Sequence, residues 1–293
     1  MNREGVVVER WPGGLYTATG GTRTQVKLAR PWQKEMTVNP ASCPFETRDQ
    51  NVLREYALGD GWRVLGNRYT PFPLHRLIIP TRCWDREKLY RLGGEEEFTN
   101  ALEIAAREIT EQGAAKVLLS THIGWLAGQN LPHFHIHDID TTFYAEGNKQ
   151  TPIGGEGTSV EAWLRSYAEE RKDLCIAESD AYRVVAGGQR AGQCFVVLRE
   201  EPYGFENQTA RLAVMLLAII DLYADRFRNT EENLPPHYMI GLKVMSGKFR
   251  YGFYLPILNH WGATEYFGLL GEEPLILPWP HEETVRHLHR ETT

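Results

Sequence analysis

Cysteine, long apolar runs and net positive charge are all scarce in this chain, and each shortage narrows what it can be. Only four cysteines occur in 293 residues (Cys43, Cys83, Cys175 and Cys194), too few and too scattered for a disulfide framework, so a reduced, cytoplasmic protein is expected. The longest apolar segment, 212–220, is bounded by Arg211 and Asp221 and is too short to span a bilayer. No signal peptide is expected either, because residues 1–10 already carry Arg3, Glu4, Glu9 and Arg10. A formal charge of -6 argues against non-specific binding along a nucleic acid polymer and leaves room for a local basic pocket. At 42% hydrophobic and 24% charged, the chain can bury a sizeable core as one large domain or two smaller ones.

Histidine is where the sequence becomes specific. Three of its ten histidines, His133, His135 and His137, stand two residues apart in the stretch 131–138. As a strand, this stretch puts the three imidazoles on one face and Phe134 and Ile136 on the other. Imidazoles are poor core material because each buried ring needs hydrogen-bond partners. The spacing alone fits a polar strand face, a metal clip or a reactive row. Just upstream, the run 122–129 contains Gly124 and Gly128, which permit turns and close backbone approach. Backbone N–H groups in such a loop can hold phosphate oxygens. A phosphate cradle beside a row of imidazoles points to phosphoryl or nucleotidyl chemistry.

Along the chain, residues 5–30 alternate short β-rich runs with Gly-Gly pairs and read as a hairpin. Residues 61–66 and 74–80 read as strands, 85–92 and 95–112 as helices, and 117–119 as a strand feeding the glycine loop. Residues 145–158 read as a linker or flap, and 160–172 as a helix. The remainder repeats the logic: strands at 182–186 and 194–198, a long helix at 209–228, then strands at 238–244 and 249–257. The expected class is α+β, with two tandem halves, 1–150 and 151–293, each an antiparallel sheet with packed helices.

Gly128-Gln129 followed by His133-x-His135-x-His137 resembles the signature of the histidine-triad superfamily of nucleotide hydrolases and transferases. Asn67, Pro73, His75 and the run 77–80 resemble that superfamily's upstream strand. The segment 30–33 and the later Cys-Pro-Phe at 43–45 resemble the N-terminal part of galactose-1-phosphate uridylyltransferases, the two-lobed branch. The resemblance implies His135 as nucleophile, with His137 and His75 beside it. It implies nucleotide and phosphate contacts from Asn67, His122, Gly128, Gln129 and Asn130. Lys27, Arg30 and Glu273 fall where that branch contacts the phosphate-bearing acceptor.

The resemblance also implies a structural zinc, with Cys43, Cys83 and His133 as ligands and Glu46 as a fourth candidate. The histidine at 137 departs from the transferases, which carry glutamine there; a histidine also suits the hydrolases. In the second half, Arg250 and Gly252 replace a His-x-His pair, so that half is expected to be degenerate: a support and acceptor-binding lobe. Three of its histidines, His281, His287 and His289, fall in a terminal helix and suit a surface role. The expected function is transfer of a nucleoside monophosphate from a nucleotide sugar or similar donor to a phosphate-bearing acceptor through His135. The alternatives are a nucleotide hydrolase and a non-catalytic nucleotide-sugar binding protein. A homodimer completing the pocket is a further expectation, with neither polynucleotide nor membrane as partner.

Overall fold

A computed structural model describes residues 7–10, 16–19, 43–46, 51–67, 74–129, 131–142, 160–187, 192–199, 204–227, 234–258 and 281–289. Lys27, Arg30, Asn130, Glu273 and the 145–158 linker lie outside the described residues. The N-terminal hairpin is present, with β1 (Val7–Arg10) antiparallel to β2 (Tyr16–Thr19).

Ten further strands form one sheet: β3 (Val52–Tyr56), β4 (Trp62–Gly66), β5 (His75–Pro80), β6 (Lys116–Ile123), β7 (Ile136–Asp140), β8 (Cys175–Glu178), β9 (Tyr182–Ala186), β10 (Cys194–Leu198), β11 (Tyr238–Met245) and β12 (Lys248–Pro256). Every pairing is antiparallel, and the spatial order is β3-β4-β5-β7-β6-β11-β12-β10-β9-β8. The described helices are α1 (Arg86–Tyr90), α2 (Glu95–Gln112), α3 (Val160–Glu170), α4 (Thr209–Arg226) and α5 (His281–His289). The class is therefore α+β. No described helix is long and apolar enough to cross a membrane.

Helical spacing explains α2. Phe98, Leu102, Ala105 and Ile109 recur at three and four residues and are buried, while Glu95, Glu96 and Glu97 occupy the first turn, where the helix dipole favours anions. Gly113 ends the helix in the left-handed region at φ 62°. Phe98 and Leu102 face Leu119, Thr121, Ile136, Ile240 and Leu242, so α2 lies across β6, β7 and β11. Truncating either side chain to alanine costs about 2–5 kcal/mol. Helix α4 packs beside α2 and buries Leu212, Leu216, Ile219, Ile220 and Tyr223.

Strand register then divides the side chains of β5, β6 and β7. Leu77 and Ser120 flank His137, and His75 faces Ile139, so His75, His137 and His122 share the sheet face away from α2. Arg76 and Asp138, one residue on from His75 and His137, point to the α2 face. There the Arg76 guanidinium pairs with the Asp138 and Glu108 carboxylates, all nearly inaccessible to solvent. Glu108 also accepts from Arg54 at 3.0 Å and from the Tyr56 hydroxyl at 2.7 Å.

Candidate active site

Of the three spaced histidines, His137 lies within β7, whereas His133 ends a bend and His135 immediately precedes the strand. Their order still follows strand alternation. Phe134 is fully buried on the opposite side, stacked on Trp84 at 4.7 Å and edge-on to Trp62. This aromatic anchor fixes the direction in which the intervening histidines project.

His135 is 7% exposed and its Nδ1 lies 2.8 Å from the His133 carbonyl. A carbonyl only accepts, so Nδ1 carries the hydrogen and the lone pair is left on Nε2. The Thr121 hydroxyl donates to the carbonyl of His135 itself at 2.9 Å, and the Phe45 ring lies edge-on to the imidazole at 6.0 Å. Burial, helped by His122 and His133, drives the His135 pKa down to about 4 against the opposing hydrogen bond to the His133 carbonyl. At neutral pH the ring is uncharged and nucleophilic.

Three other histidines close around it. The His137 ring lies 4.9 Å from His135 and 5.7 Å from His122, and its Nδ1 meets Nε2 of His75 at 2.8 Å. One hydrogen is shared across that contact. Burial and then the neighbouring imidazoles lower the pKa of His137 to about 2 and of His75 to about 4. The Asn67 amide nitrogen sits 3.3 Å from Nδ1 of His75. His122 is also lowered by burial. The cluster is thus a set of neutral imidazoles, because the buried face cannot accommodate several like charges.

The glycine loop follows β6 directly. Gly124 and Gly128 adopt φ of +85° and +88°, which L side chains adopt only under strain. Gln129 is buried, its Oε1 accepting from Gly124 N–H at 2.7 Å and its amide nitrogen reaching the His133 carbonyl at 3.5 Å. Its side chain therefore ties the loop to the carbonyl that orients His135. Gly128 is exposed, with its Cα 's missing side chain facing Nδ1 of His122.

Beside this row, Cys43, Cys83 and His133 offer donor atoms that lie within 4.8 Å of one another. His133 Nε2 donates to the Pro80 carbonyl at 2.9 Å, leaving the Nδ1 lone pair aimed at Cys83 Sγ (3.0 Å) and Cys43 Sγ (3.3 Å). This outer hydrogen bond fixes the tautomer a metal-binding imidazole needs. Tetrahedral zinc with such ligands holds its donors about 3.5 Å apart, so the set fits that ion closely. Glu46 lies alongside but turns its carboxylate to the Cys83 amide N–H at 2.6 Å.

Two sets of residues around the site escape sequence reasoning. Arg76, Glu108 and Asp138 hold β5 and β7 together from behind the histidines. His237, at the entry to β11, reaches the glycine loop. The only local signal for the first set is the charge of Arg76 ahead of the apolar run 77–80, since the strand of Asp138 is itself rich in polar residues; for His237 there is none.

No family model and no curated protein matches the chain by sequence. Solved structures do match its fold. A uridylyltransferase superposes with a TM-score of 0.60 at 15% identity, over 96% of each chain. An ADP-glucose phosphorylase from Arabidopsis thaliana, with bound ADP-glucose, gives 0.60 at 14% over 88% of this chain and 92% of its own. A galt-like protein from the same plant gives 0.61 at 14%, over 86% and 92%. The chain therefore shares the fold of these solved structures, at sequence identities of 12–15%.

Proposed function

We propose that this chain is an enzyme that transfers a nucleoside monophosphate from a nucleotide sugar or similar donor to a phosphate-bearing acceptor, through a covalent intermediate on His135. The observation that carries the reading is the Nδ1–H bond of buried His135 to the His133 carbonyl, which leaves Nε2 as a neutral nucleophile. In the first step Nε2 attacks the α-phosphorus. An N–P bond forms, the α–β P–O bond breaks, and its electron pair leaves with the sugar phosphate. The positive charge that develops on the imidazole is met by the His133 carbonyl. In the second step a phosphate oxygen of the acceptor forms a P–O bond, the N–P bond breaks, and the electron pair returns to Nε2.

His137 supports transfer in spite of its departure from glutamine. Held neutral against His75, it can hydrogen-bond a phosphoryl oxygen without adding charge, which is the service an amide gives. A second reading, hydrolysis, draws on the same residue, since an imidazole can also pass a proton to a leaving group. His122 and the backbone from Gly128 to Asn130 are assigned to phosphate contacts, and Asn67 and Gln129 to holding the site's geometry. Lys27, Arg30 and Glu273 are assigned to the acceptor. Cys43, Cys83 and His133, with Glu46 or water as fourth ligand, are assigned to a structural zinc. These residues would hold the ion as a cross-link rather than for chemistry, and His133 so held would keep in place the carbonyl that orients His135.

The same reading makes the chain a duplication, 1–150 and 151–293. Strand order supports it: from either outer edge inward, the sheet runs first, second, third, fifth and fourth strand of its half, with a long helix after the third. The second half would then be degenerate, its Arg250 tied at 3.4 Å to Glu161 of α3. A cytoplasmic homodimer belongs to this reading as well. Incubation with α-labelled ADP-glucose or UDP-glucose tests it: label should enter the protein and leave on addition of a sugar 1-phosphate. Loss of label to water alone, whatever the acceptor, supports hydrolysis instead.

A further inference from the structure

The glycine loop is held from inside by Gln129 and from outside by a residue of the other half of the sheet. The backbone N–H of Leu126 donates to Nδ1 of His237 at 3.0 Å. His237 is set by β11, which pairs with β6 in a register that places Tyr238 opposite Ile123. Its own carbonyl accepts from Ile257 N–H at 2.7 Å, beyond the end of β12. The ring packs against Tyr90 at 5.8 Å. It also occupies the space over Gly124, where an added Cβ would come within 2.5 Å of the imidazole and 2.8 Å of the Tyr90 hydroxyl. Glycine is therefore needed at 124 twice over, for φ and for the approach of a ring from the second half.

Leu126 sits in the single 3-10 turn Trp125–Ala127, whose first N–H groups lack partners within the turn. Without His237, that N–H would have to find water, and the turn would lose one of its fixed points. Within the loop, Ala127 N–H and Gln129 N–H both donate to the Gly124 carbonyl, at 3.1 and 3.2 Å. Gln129 and His122 tie the loop to the histidine row and to β6, whereas His237 ties it through a side chain to β11 and the other half of the sheet.

We infer that His237 is a positioning residue through which the second half of the chain holds the glycine loop against His122 and His135. It touches neither substrate nor the reacting atoms; it acts by accepting the Leu126 N–H. The role rests on the nucleotidyl-transfer reading of the site, whereas the contact itself does not. On this view the second half supports more than the acceptor: it sets the precision of the phosphate cradle in the first.

The test uses the full-length chain and two substitutions. His237→Phe keeps a ring and removes the acceptor; His237→Asn removes the ring and keeps an acceptor near the position of Nδ1. Hydrogen exchange of the peptide covering 122–129 is measured together with single-turnover labelling by α-labelled ADP-glucose and UDP-glucose. In His237→Phe the loop should exchange about tenfold faster or more, the value of one buried acceptor, with other sheet peptides unchanged. Labelling should slow while the donor concentration for half-maximal rate changes little. In His237→Asn both should return towards the parent.

Unchanged exchange in His237→Phe, or no recovery in His237→Asn, overturns the inference. If the phenylalanine variant fails to fold, His237→Ala is read in the same way. If the parent takes up no label, the nucleotidyl reading fails by itself and the exchange measurement still decides the contact.

Discussion

Lowering the pH should destabilise this protein through its buried histidines, and His75 gives the cleanest measure. His75 is 8% exposed, and its pKa falls from 6.5 to about 4, mostly by burial and then by the nearby His135. In the unfolded chain the same ring protonates near its ordinary value of about 6.5. Between these values the unfolded state binds a proton that the folded state refuses. Stability is therefore full above about pH 6.5 and is lost as pH falls towards the folded value. At pH 5 the loss from this one group is about 2 kcal/mol relative to pH 7.5. His75→Gln keeps a hydrogen-bonding side chain beside Asn67 and His137 but cannot titrate. Urea unfolding of both proteins at pH 7.5 and 5.0 should show the parent losing about 2 kcal/mol more than the variant. With a urea m-value of about 2 kcal/mol/M, that is a difference of roughly 1 M in the shift of the midpoint. Equal shifts in the two proteins would refute the reasoning, because His75 would then titrate alike folded and unfolded.

Three further outcomes are expected. Arg76→Met strands the Asp138 carboxylate in the core, while Glu108 keeps Arg54 and Tyr56, and should cost about 3–5 kcal/mol in urea unfolding at pH 7.5. Because burial already raises the Asp138 pKa to about 6, mild acid should restore part of that loss by protonating it; a variant as stable as the parent would contradict the network. The protein purified without chelator should carry one zinc per chain by elemental analysis, lost in Cys83→Ser, with labelling slowed about tenfold or more as His133 loosens. Gly124→Ala should slow labelling more than Gly128→Ala, because both strain φ but only the former drives a Cβ into His237; equal effects in single-turnover assays would count against that packing.

Much of the fold is legible in the sequence because its signals are local. The period of Phe98, Leu102, Ala105 and Ile109 marks α2, and the run 77–80 marks a strand buried on both faces. Strand β3 is not legible: Val-Leu-Arg-Glu-Tyr has no alternation, because it is a solvent-exposed edge. Strand β8, four residues long at the opposite edge, gives too short a pattern. The histidine row is legible from spacing and resemblance together, yet its hydrogen bonds are not. Which nitrogen of His135 is free depends on the His133 carbonyl, and that depends on chain curvature ahead of β7. His237 lies 111 residues from the amide it accepts from, and Arg76 lies 62 from Asp138, so only the register of the assembled sheet brings each pair together.

The central claim is the covalent nucleotide on His135, and intact-mass analysis tests it most directly. The protein is mixed with ADP-glucose or UDP-glucose, denatured at neutral to alkaline pH, which preserves an N–P bond, and weighed. The account predicts a mass gain of one nucleoside monophosphate, localised to His135 by peptide sequencing and absent in His135→Ala, while donor binding to that variant stays measurable. Turnover of either donor by His135→Ala at the parent's rate, or an adduct on another residue, would contradict it.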